Sequence, residues 1–591
     1  MTPPFQGRCP VCLPSQGSPL MRATLGDETQ LLRSKCRSKS RQLGTTGFVI
    51  TIDSRPPRKP HVPNIDSITM PNAHSTTESS PRRIAVIGGG LSGMAAAHRL
   101  IELTSASSPT SRRCEITLFE AGPRLGGIVG TTHLNGYLID NGADSFLTNK
   151  PGAIGLCRRL GIEDKLVATD PRYRGVHVVF DGRPVPVPTG FQLLSPTSIW
   201  PMLTTPILSP WGKLRLLMES FVPRRTPREA TELMDESLAS FVRRRLGREV
   251  LERLVQPLVG GIYTSDPEQL SLAATLPRFL EQERDFGSLI RAARSAKSNE
   301  SARGSTSRPV TSHDQTSSGA RYGLFAGLAG GMEDLLAALR SRVEAGCTVM
   351  LNARVTAIQR PLTNPQREQG AFNKNASASP FRLTLSDGTY HSFDAVIVAT
   401  TTHHAALLLD GLAPKLASEL RQIEYASSAI VVTGHRLADV AHPLDSFGLV
   451  VPHRERRRIL ATSFSSRKFP KRAPAGSVLL RTFVGGAMQP ELNDLPDDEL
   501  LRVVQSELNV LLGVRGEPEL SLVVRYPRAM PQYHVGHLDR VARIEALTAR
   551  HSGLALAGNA YRGVGIPDAI QSGESAAERT LAKLGLTSRL G

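Results

Sequence analysis

The chain has 591 residues, of which 40% are hydrophobic and 21% charged, and 71 Lys and Arg against 53 Asp and Glu leave a formal net charge of +18. That length allows about two to four globular domains, and the positive excess points to acidic partners. No dense Lys/Arg block with interleaved aromatics is present, which excludes nucleic acid as a partner. No apolar run approaches the ~18 residues that cross a bilayer. The six cysteines (Cys9, Cys12, Cys36, Cys114, Cys157, Cys347) form no disulfide framework and fit a reducing compartment. Cys9-x-x-Cys12 is half of a zinc motif without a second half, and no metal site is assigned.

Residues 1–80 are rich in Ser, Thr, Pro and Arg and lack periodicity. They read as a disordered tail, a transit-like presequence, or sequence upstream of a true start at Met70. Order is expected from Arg83. The apolar run Ile84–Ile87 enters Gly88-Gly89-Gly90-Leu91-Ser92-Gly93 and then the alanine-rich stretch Met94–Leu100. That is strand, tight turn and helix, with a helix N-terminus offering free N–H groups to a pyrophosphate. A second strand, Glu115–Glu120, ends on an acid a little beyond the usual spacing of about 20 residues for a ribose ligand. A second glycine turn, Gly122 to Gly127, carries Arg124, whose forked donors suit phosphate.

Residues 151–320 differ in character. A helical pattern, Ile154–Leu160, stops at Gly161, and Val176–Val187 reads as a hairpin turning at Asp181-Gly182. Phe191–Arg225 combines Trp200, Trp211, Leu and Met with Lys213, Arg215, Arg224 and Arg225. It reads either as a monotopic membrane contact or as an ordinary Pro-interrupted helical subdomain. Helical stretches run through Leu238–Leu258. Residues 295–321 read as a mobile polar insertion.

Beyond Tyr322, Gly327–Leu339 gives another glycine turn into a helix, a polar insertion spans Leu362–Pro380, and Asp394–Thr400 reads as a buried parallel strand. The last informative stretch is a strand from Leu554, a glycine-rich turn from Gly558 to Asp568, and a helix carrying Ser572–Leu584. The expected fold is α/β, with a discontinuous Rossmann-like domain over 81–150, 322–402 and 551–587. An α+β substrate domain is expected over 151–190 and 403–550, and a helical subdomain over 191–294.

Taken together, the opening fingerprint, Glu120 with Gly126-Gly127, and Gly558–Asp568 resemble the flavin amine oxidase superfamily. More narrowly, the chain resembles the bacterial type of oxygen-dependent porphyrinogen oxidases of haem synthesis. The stretches that carry this are Gly142–Leu147, Leu254–Ser271, Gly330-Gly-Met332, Phe469–Pro474, Pro531–Asp539 and Gly558–Glu574. The resemblance implies FAD. By matching position, Gly88, Gly89, Gly90, Leu91, Ser92, Gly93, Glu120, Arg124, Gly127 and Ile128 would hold ADP and pyrophosphate, and Val355 the adenine. Gly142, Ala143, Asp144 and Ser145 would line the flavin, and Gly558, Asn559, Val564, Gly565 and Ile566 would sit at the isoalloxazine.

The implied chemistry is a six-electron oxidation of protoporphyrinogen IX or coproporphyrinogen III by hydride transfer to the flavin, with O2 as acceptor and no side-chain base. His534 and His537 are read as structural. Relatives from plants and animals carry a propionate-binding arginine where this chain has Val176, and either Arg174, taken as the anchor, or Arg172 could substitute with a shifted register. A ferrochelatase is the implied partner. The implied location is the cytoplasm, with peripheral attachment to its membrane. Other superfamily enzymes (an amine oxidase or a carotenoid desaturase) and a non-catalytic flavin-binding partner stand as alternatives.

Overall fold

The computed structural model describes residues 81–105, 114–196, 198, 200–225, 235–302, 325–360 and 381–586. The N-terminal extension with Cys9, Cys12, Cys36 and Met70, the polar insertion at 362–380 and most of the one at 295–321 lie outside the described residues.

The opening strand Arg82–Ile87 is the centre of a five-stranded parallel sheet. On one side it pairs with Cys114–Phe119 and, beyond it, Thr348–Met350; on the other lie Ala395–Val398 and then Leu554–Leu556. Ile84, Ala85, Val86 and Ala395 to Val398 are all fully buried. Such continuous apolar runs belong to parallel strands covered on both faces. Helices Leu91–Ser105, Glu333–Gly346 and Ile566–Lys583 cover one face, around Val86, Met94, Leu336 and Ile570. The other face carries an antiparallel sheet (Val355–Gln359, Phe381–Leu385, Tyr390–Phe393) and helices Thr402–Leu409 and Pro414–Arg421. The first and last helices approach very closely. A Cβ on Gly573 would lie 2.1 Å from the Ser92 carbonyl oxygen, so the chain's end docks on the helix that opens the nucleotide fold.

A seven-stranded sheet forms the second body. Its strand order is Leu520–Pro531, Tyr425–Arg436, Ser477–Gly485, Ala461–Phe464, Gly448–Val450, His177–Phe180 and Arg183–Pro186. The last two strands are the expected hairpin, with φ of 48° at Asp181 and 74° at Gly182. A turn with both central residues at positive φ matches the twist of its strands. A short parallel ladder, Leu449↔His177 and Val450↔Val178, joins that hairpin to the strands of 425–531 in one sheet, whereas helix Pro151–Leu160, expected in the same domain, packs in the core of the parallel-sheet body through Ala153, Leu156 and Leu160. Helix Asp497–Leu512 covers one face, through Leu500, Val504 and Leu508. Helices from the 200–290 region pack on Val178 and Val450 of the other.

That helical region includes Trp200–Thr204, Pro210–Leu217, Leu238–Arg245, Gln256–Tyr263 and Pro277–Phe286. Its helices are tied by buried charge: Arg245 and Glu219, both fully buried, pair at 2.9 Å. Order does not stop at residue 294, where the sequence places a mobile insertion. The helix Leu289–Ala302 runs on, because residues to Ala302 keep a helix-forming composition of Ala, Arg, Lys and Glu. Among the described residues no helix is long and apolar enough to cross a membrane.

Candidate active site

The opening turn is built by backbone hydrogen bonds. The Gly88 amide donates to Phe119 O at 2.8 Å and the Gly126 amide to Gly89 O at 2.9 Å. Glu120 takes the Gly89 and Gly122 amides, each at 2.7 Å, and so ties the two glycine turns together. A carboxylate has lone pairs left for hydroxyl donors. The first hydrogen bond of the helix runs from Met94 N to Gly90 O, which leaves the amides of Leu91, Ser92 and Gly93 ahead of the helical ladder. A Cβ on Gly93 would fall 1.8 Å from the Gly88 carbonyl oxygen, whereas a Cβ on Gly90 would meet nothing within 4 Å. The turn is therefore tight behind and open in front.

In front lies a cavity of about 580 Å³. Gly90, Leu91, Ser92, Gly127, Ile128, Ala143, Ser145, Gly558, Asn559, Val564, Gly565 and Ile566 line it. The opening turn and the C-terminal turn, more than 460 residues apart in sequence, are thus brought to one space. Thr400, Tyr263, Phe325, Ala529 and Tyr533 complete the lining. Ile128 and Ile262 leave 54% and 42% of their surface uncovered there, apolar area of the kind a planar ring covers.

Other expected residues act one layer back. Arg124 spends its guanidinium on the carbonyls of Leu125, Val129 and Gly127 and lines a separate cavity of about 550 Å³ with Asn141 and Arg340. Val355 begins the antiparallel sheet beside Ala353, whose amide donates to Glu120 O at 2.9 Å. Gly142 presents its carbonyl to Arg481. Asp144 is not part of the lining; it is a buried acid paired with Lys468 at 2.8 Å and Arg481 at 3.0 Å. Burial pushes its carboxyl up, but those two cations outweigh burial and hold it well below the usual carboxylate range.

The stretch Pro531–Asp539 works as a brace. The buried Tyr533 hydroxyl accepts the Gly563 amide at 2.8 Å and donates to the Asn559 carbonyl, clamping the C-terminal turn from behind. His537 stacks on Tyr533 with ring centroids 4.0 Å apart and places Nε2 3.0 Å from the Tyr561 carbonyl. Burial pushes the His537 pKa down to about 4, so the ring is neutral and its Nε2–H is the donor. Asp140 does the same for Gly330-Gly-Met332, accepting the Met332 amide at 2.7 Å and pairing with Arg472 at 3.3 Å.

The charged side chains in the lining are already matched. Lys150 meets Asp568 at 2.7 Å, and Arg562 meets Glu545 at 2.7 Å. Burial pushes Tyr263 up to about 12 and Tyr533 higher still. Among the described residues, the lining therefore offers no unpaired acid or base that titrates near neutrality. Arg174 lies outside this lining, and Arg172 pairs with Asp170 at 2.7 Å. Val176 is buried in the apolar core beneath the helices. Tyr561 packs in the core behind the C-terminal turn, not in the cavity. Sequence reading missed Lys150, Phe325, Thr400 and Ala529 as lining residues. None sits in a glycine turn, so no local signal marks it.

These features fit FAD: an open glycine cradle, a helix end, an acid at the ribose position and uncovered apolar walls. The comparisons agree. Residues 91–581 match the family of flavin containing amine oxidoreductases. A coproporphyrinogen III oxidase of Bacillus subtilis (strain 168) is 32% identical over 507 residues, 85% of this chain and 98% of that protein. Protoporphyrinogen oxidase 2 of Arabidopsis thaliana is 30% identical, over 86% of this chain and 96% of that protein. The crystal structure of a putative protoporphyrinogen oxidase from Exiguobacterium sp. 255-15 superposes with a TM-score of 0.70 at 28% identity, over 86% of this chain and 99% of that one. The chain belongs to the flavin containing amine oxidoreductase family. It is an oxidoreductase, and its cofactor is FAD.

Proposed function

We propose that this chain carries out the oxygen-using, six-electron oxidation of a porphyrinogen to a porphyrin in haem biosynthesis, the substrate being coproporphyrinogen III or protoporphyrinogen IX. The observation that carries the reading is the cavity: a large, mostly apolar space beside the glycine turns in which every charged side chain is paired. When bound, FAD supplies a two-electron acceptor that O2 reoxidises, and three such turns consume three O2 and release three H2O2. A hydride leaving a meso carbon needs orientation and exclusion of water more than a side-chain base. Ile128, Ile262 and Phe325 provide the apolar walls. Leu91 and Ser92 at one helix end would hold the pyrophosphate, and the helix Ile566–Lys583 begins at the cavity, where its positive end would face the flavin. The relatives named for porphyrinogen oxidation favour this over an amine oxidase or a desaturase.

Arg174 is the proposed propionate anchor. Because it stands outside the lining, it would hold a carboxylate that reaches beyond the cavity, and Arg174→Ala should raise KM. An unchanged KM removes it from that role. The decisive test is aerobic incubation of the FAD-loaded protein with each porphyrinogen while porphyrin fluorescence is followed. A rise with one or both is expected; no rise with either overturns the reading, and the ratio of rates identifies the substrate.

Peripheral attachment to the cytoplasmic membrane is the second proposal. Trp200, Trp211 and Phe221 are 73%, 78% and 81% exposed on one short run of helices, with Lys213, Arg224 and Arg225 beside them. An exposed apolar set with a basic fringe suits an anionic lipid surface. Sedimentation with anionic vesicles should be lost in a Trp211→Ser, Phe221→Ser double variant. A ferrochelatase is the partner proposed to take the porphyrin product.

A further inference from the structure

We propose that His177, His442 and Asp445, none of which lines the flavin cavity, form a binding site for one divalent transition-metal ion, zinc by ligand type. One ligand atom from each of the three lies within 4.8 Å of the others. His177 stands on the strand His177–Phe180, with its side chain on the sheet face that Val179 shares with helix Asp497–Leu512. The helical subdomain packs on the opposite face, through Val178.

The ring of His177 is set as a ligand. Its Nδ1 lies 2.9 Å from Ser446 Oγ, and that hydroxyl spends its own proton on the Gly448 carbonyl at 3.1 Å. Ligation through Nε2 requires Nδ1 to carry the ring proton, and with its own proton on the Gly448 carbonyl this hydroxyl can accept it. Nε2 faces Asp445 Oδ1 at 3.8 Å, too far for a hydrogen bond. Two ligands of a tetrahedral zinc ion lie ~3.3 Å apart when each bond is about 2.0–2.1 Å, so a small closure satisfies both. A hydroxyl that fixes the tautomer of a ligating histidine is the usual outer-shell device of metal sites.

One tight loop supplies the other two ligands. Leu444, fully buried, adopts a left-handed φ of 50°, which turns His442-Pro443-Leu444-Asp445 back so that both ends reach His177. Backbone strain of this kind persists only where surrounding contacts impose it. The His442 ring stands edge-on to that of His177, with centroids 5.3 Å apart. The Leu444 amide donates to His442 Nδ1 at 3.0 Å. Ion binding through either ring nitrogen releases that amide, because Nδ1 must then take the proton or the ion.

The site also has a structural task. The hairpin of His177–Phe180 and Arg183–Pro186 joins the rest of its sheet through only the two register pairs at His177 and Val178. An ion shared by His177 and the 442–445 loop would staple that hairpin in place.

The test uses the full-length flavoprotein stripped with a chelator and titrated with zinc alone against a chromophoric competitor. One zinc per chain is expected, lost in His177→Ala and in Asp445→Asn and about tenfold weaker in Ser446→Ala. Cobalt(II) should give the visible absorption of a tetrahedral N/O site. Asp445 is exposed, so Asp445→Asn keeps the test open even if His177→Ala folds poorly. The proposal is overturned if wild type binds no stoichiometric zinc, or if folded Asp445→Asn binds it as tightly as wild type, which would place the ion elsewhere in the chain.

Discussion

The two walls of the cavity are made in opposite ways. The wall formed by Gly88–Gly93 is made by backbone: its shape follows from missing Cβ atoms and from the hydrogen bonds of its amides and carbonyls to Phe119, Glu120 and Gly126. The facing wall of Ile262, Tyr263, Phe325, Ala529 and Tyr533 is drawn from separate segments, and side chains one layer behind hold it and the floor in register. Backbone therefore shapes the wall of the glycine turn, while buried side-chain contacts shape the wall facing it. Substitutions should separate the two. On the glycine wall an added carbon at Gly93 meets backbone, and on the other side the loss scales with the bond removed.

The largest effect is expected at Gly93. Its Cβ would fall 1.8 Å from the Gly88 carbonyl oxygen, a backbone atom that cannot swing aside. Gly93→Val should yield protein without flavin, or no folded protein, read directly from the 450 nm absorbance of the purified chain. A yellow, folded Gly93→Val protein would show that the turn is looser than its hydrogen bonds indicate. Next comes Asp144. Asp144→Asn leaves the buried Lys468 and Arg481 side chains facing each other without a counter-charge. Removing one partner of such a buried pair costs about 3–5 kcal/mol, measurable as a lower denaturant midpoint.

His537 gives an effect of similar size that appears only in acid. Its pKa is about 4 in the folded chain against the ordinary 6.5. Above 6.5 the ring is neutral in both states and adds no slope. As pH falls from 6.5 to 4 the unfolded chain takes up the proton first, so stability declines, by about 3 kcal/mol from this group, and then levels off. His537→Gln keeps a donor for the Tyr561 carbonyl and should flatten that limb of the Tm-against-pH curve. An unchanged limb would assign the acid sensitivity to other groups.

The same division explains what could be read from the sequence. The parallel strands at Ile84–Ile87 and Asp394–Thr400, the helix stop at Gly161 and the Asp181-Gly182 hairpin all rest on short-range rules, and each is in place. The meeting of the first and last glycine turns in one cavity is implied by the family resemblance rather than by a short-range rule, and Gly573, which lets the two helices touch, gives no sequence signal of its own. Asp144 illustrates the limit. It stands beside Ala143 and Ser145, which do line the cavity, and alternation along an irregular segment does not reveal that its carboxylate turns away toward Lys468 and Arg481. The partner residues lie more than 320 positions on, and a charge 4 Å away in space leaves no trace in local pattern. Helix Leu289–Ala302 shows the converse: polar composition masked a segment whose helix propensity carried it past the expected boundary.

The smallest and most discriminating change is Tyr533→Phe. It removes one oxygen and keeps the ring that stacks on His537. That oxygen joins the Gly563 amide to the Asn559 carbonyl, so its loss leaves both backbone groups of the C-terminal turn without their buried partner. A buried group left unsatisfied costs about 1–3 kcal/mol. The fold has many other contacts, so Tm should move little. The turn itself should loosen, and because the turn lines the cavity, the cost should surface as weaker flavin retention on dilution. A variant with lowered Tm but unchanged flavin affinity would mean that Tyr533 supports the core alone. Weakened flavin affinity at near-constant Tm would show that the far wall acts on the cofactor through a side chain that need not touch it.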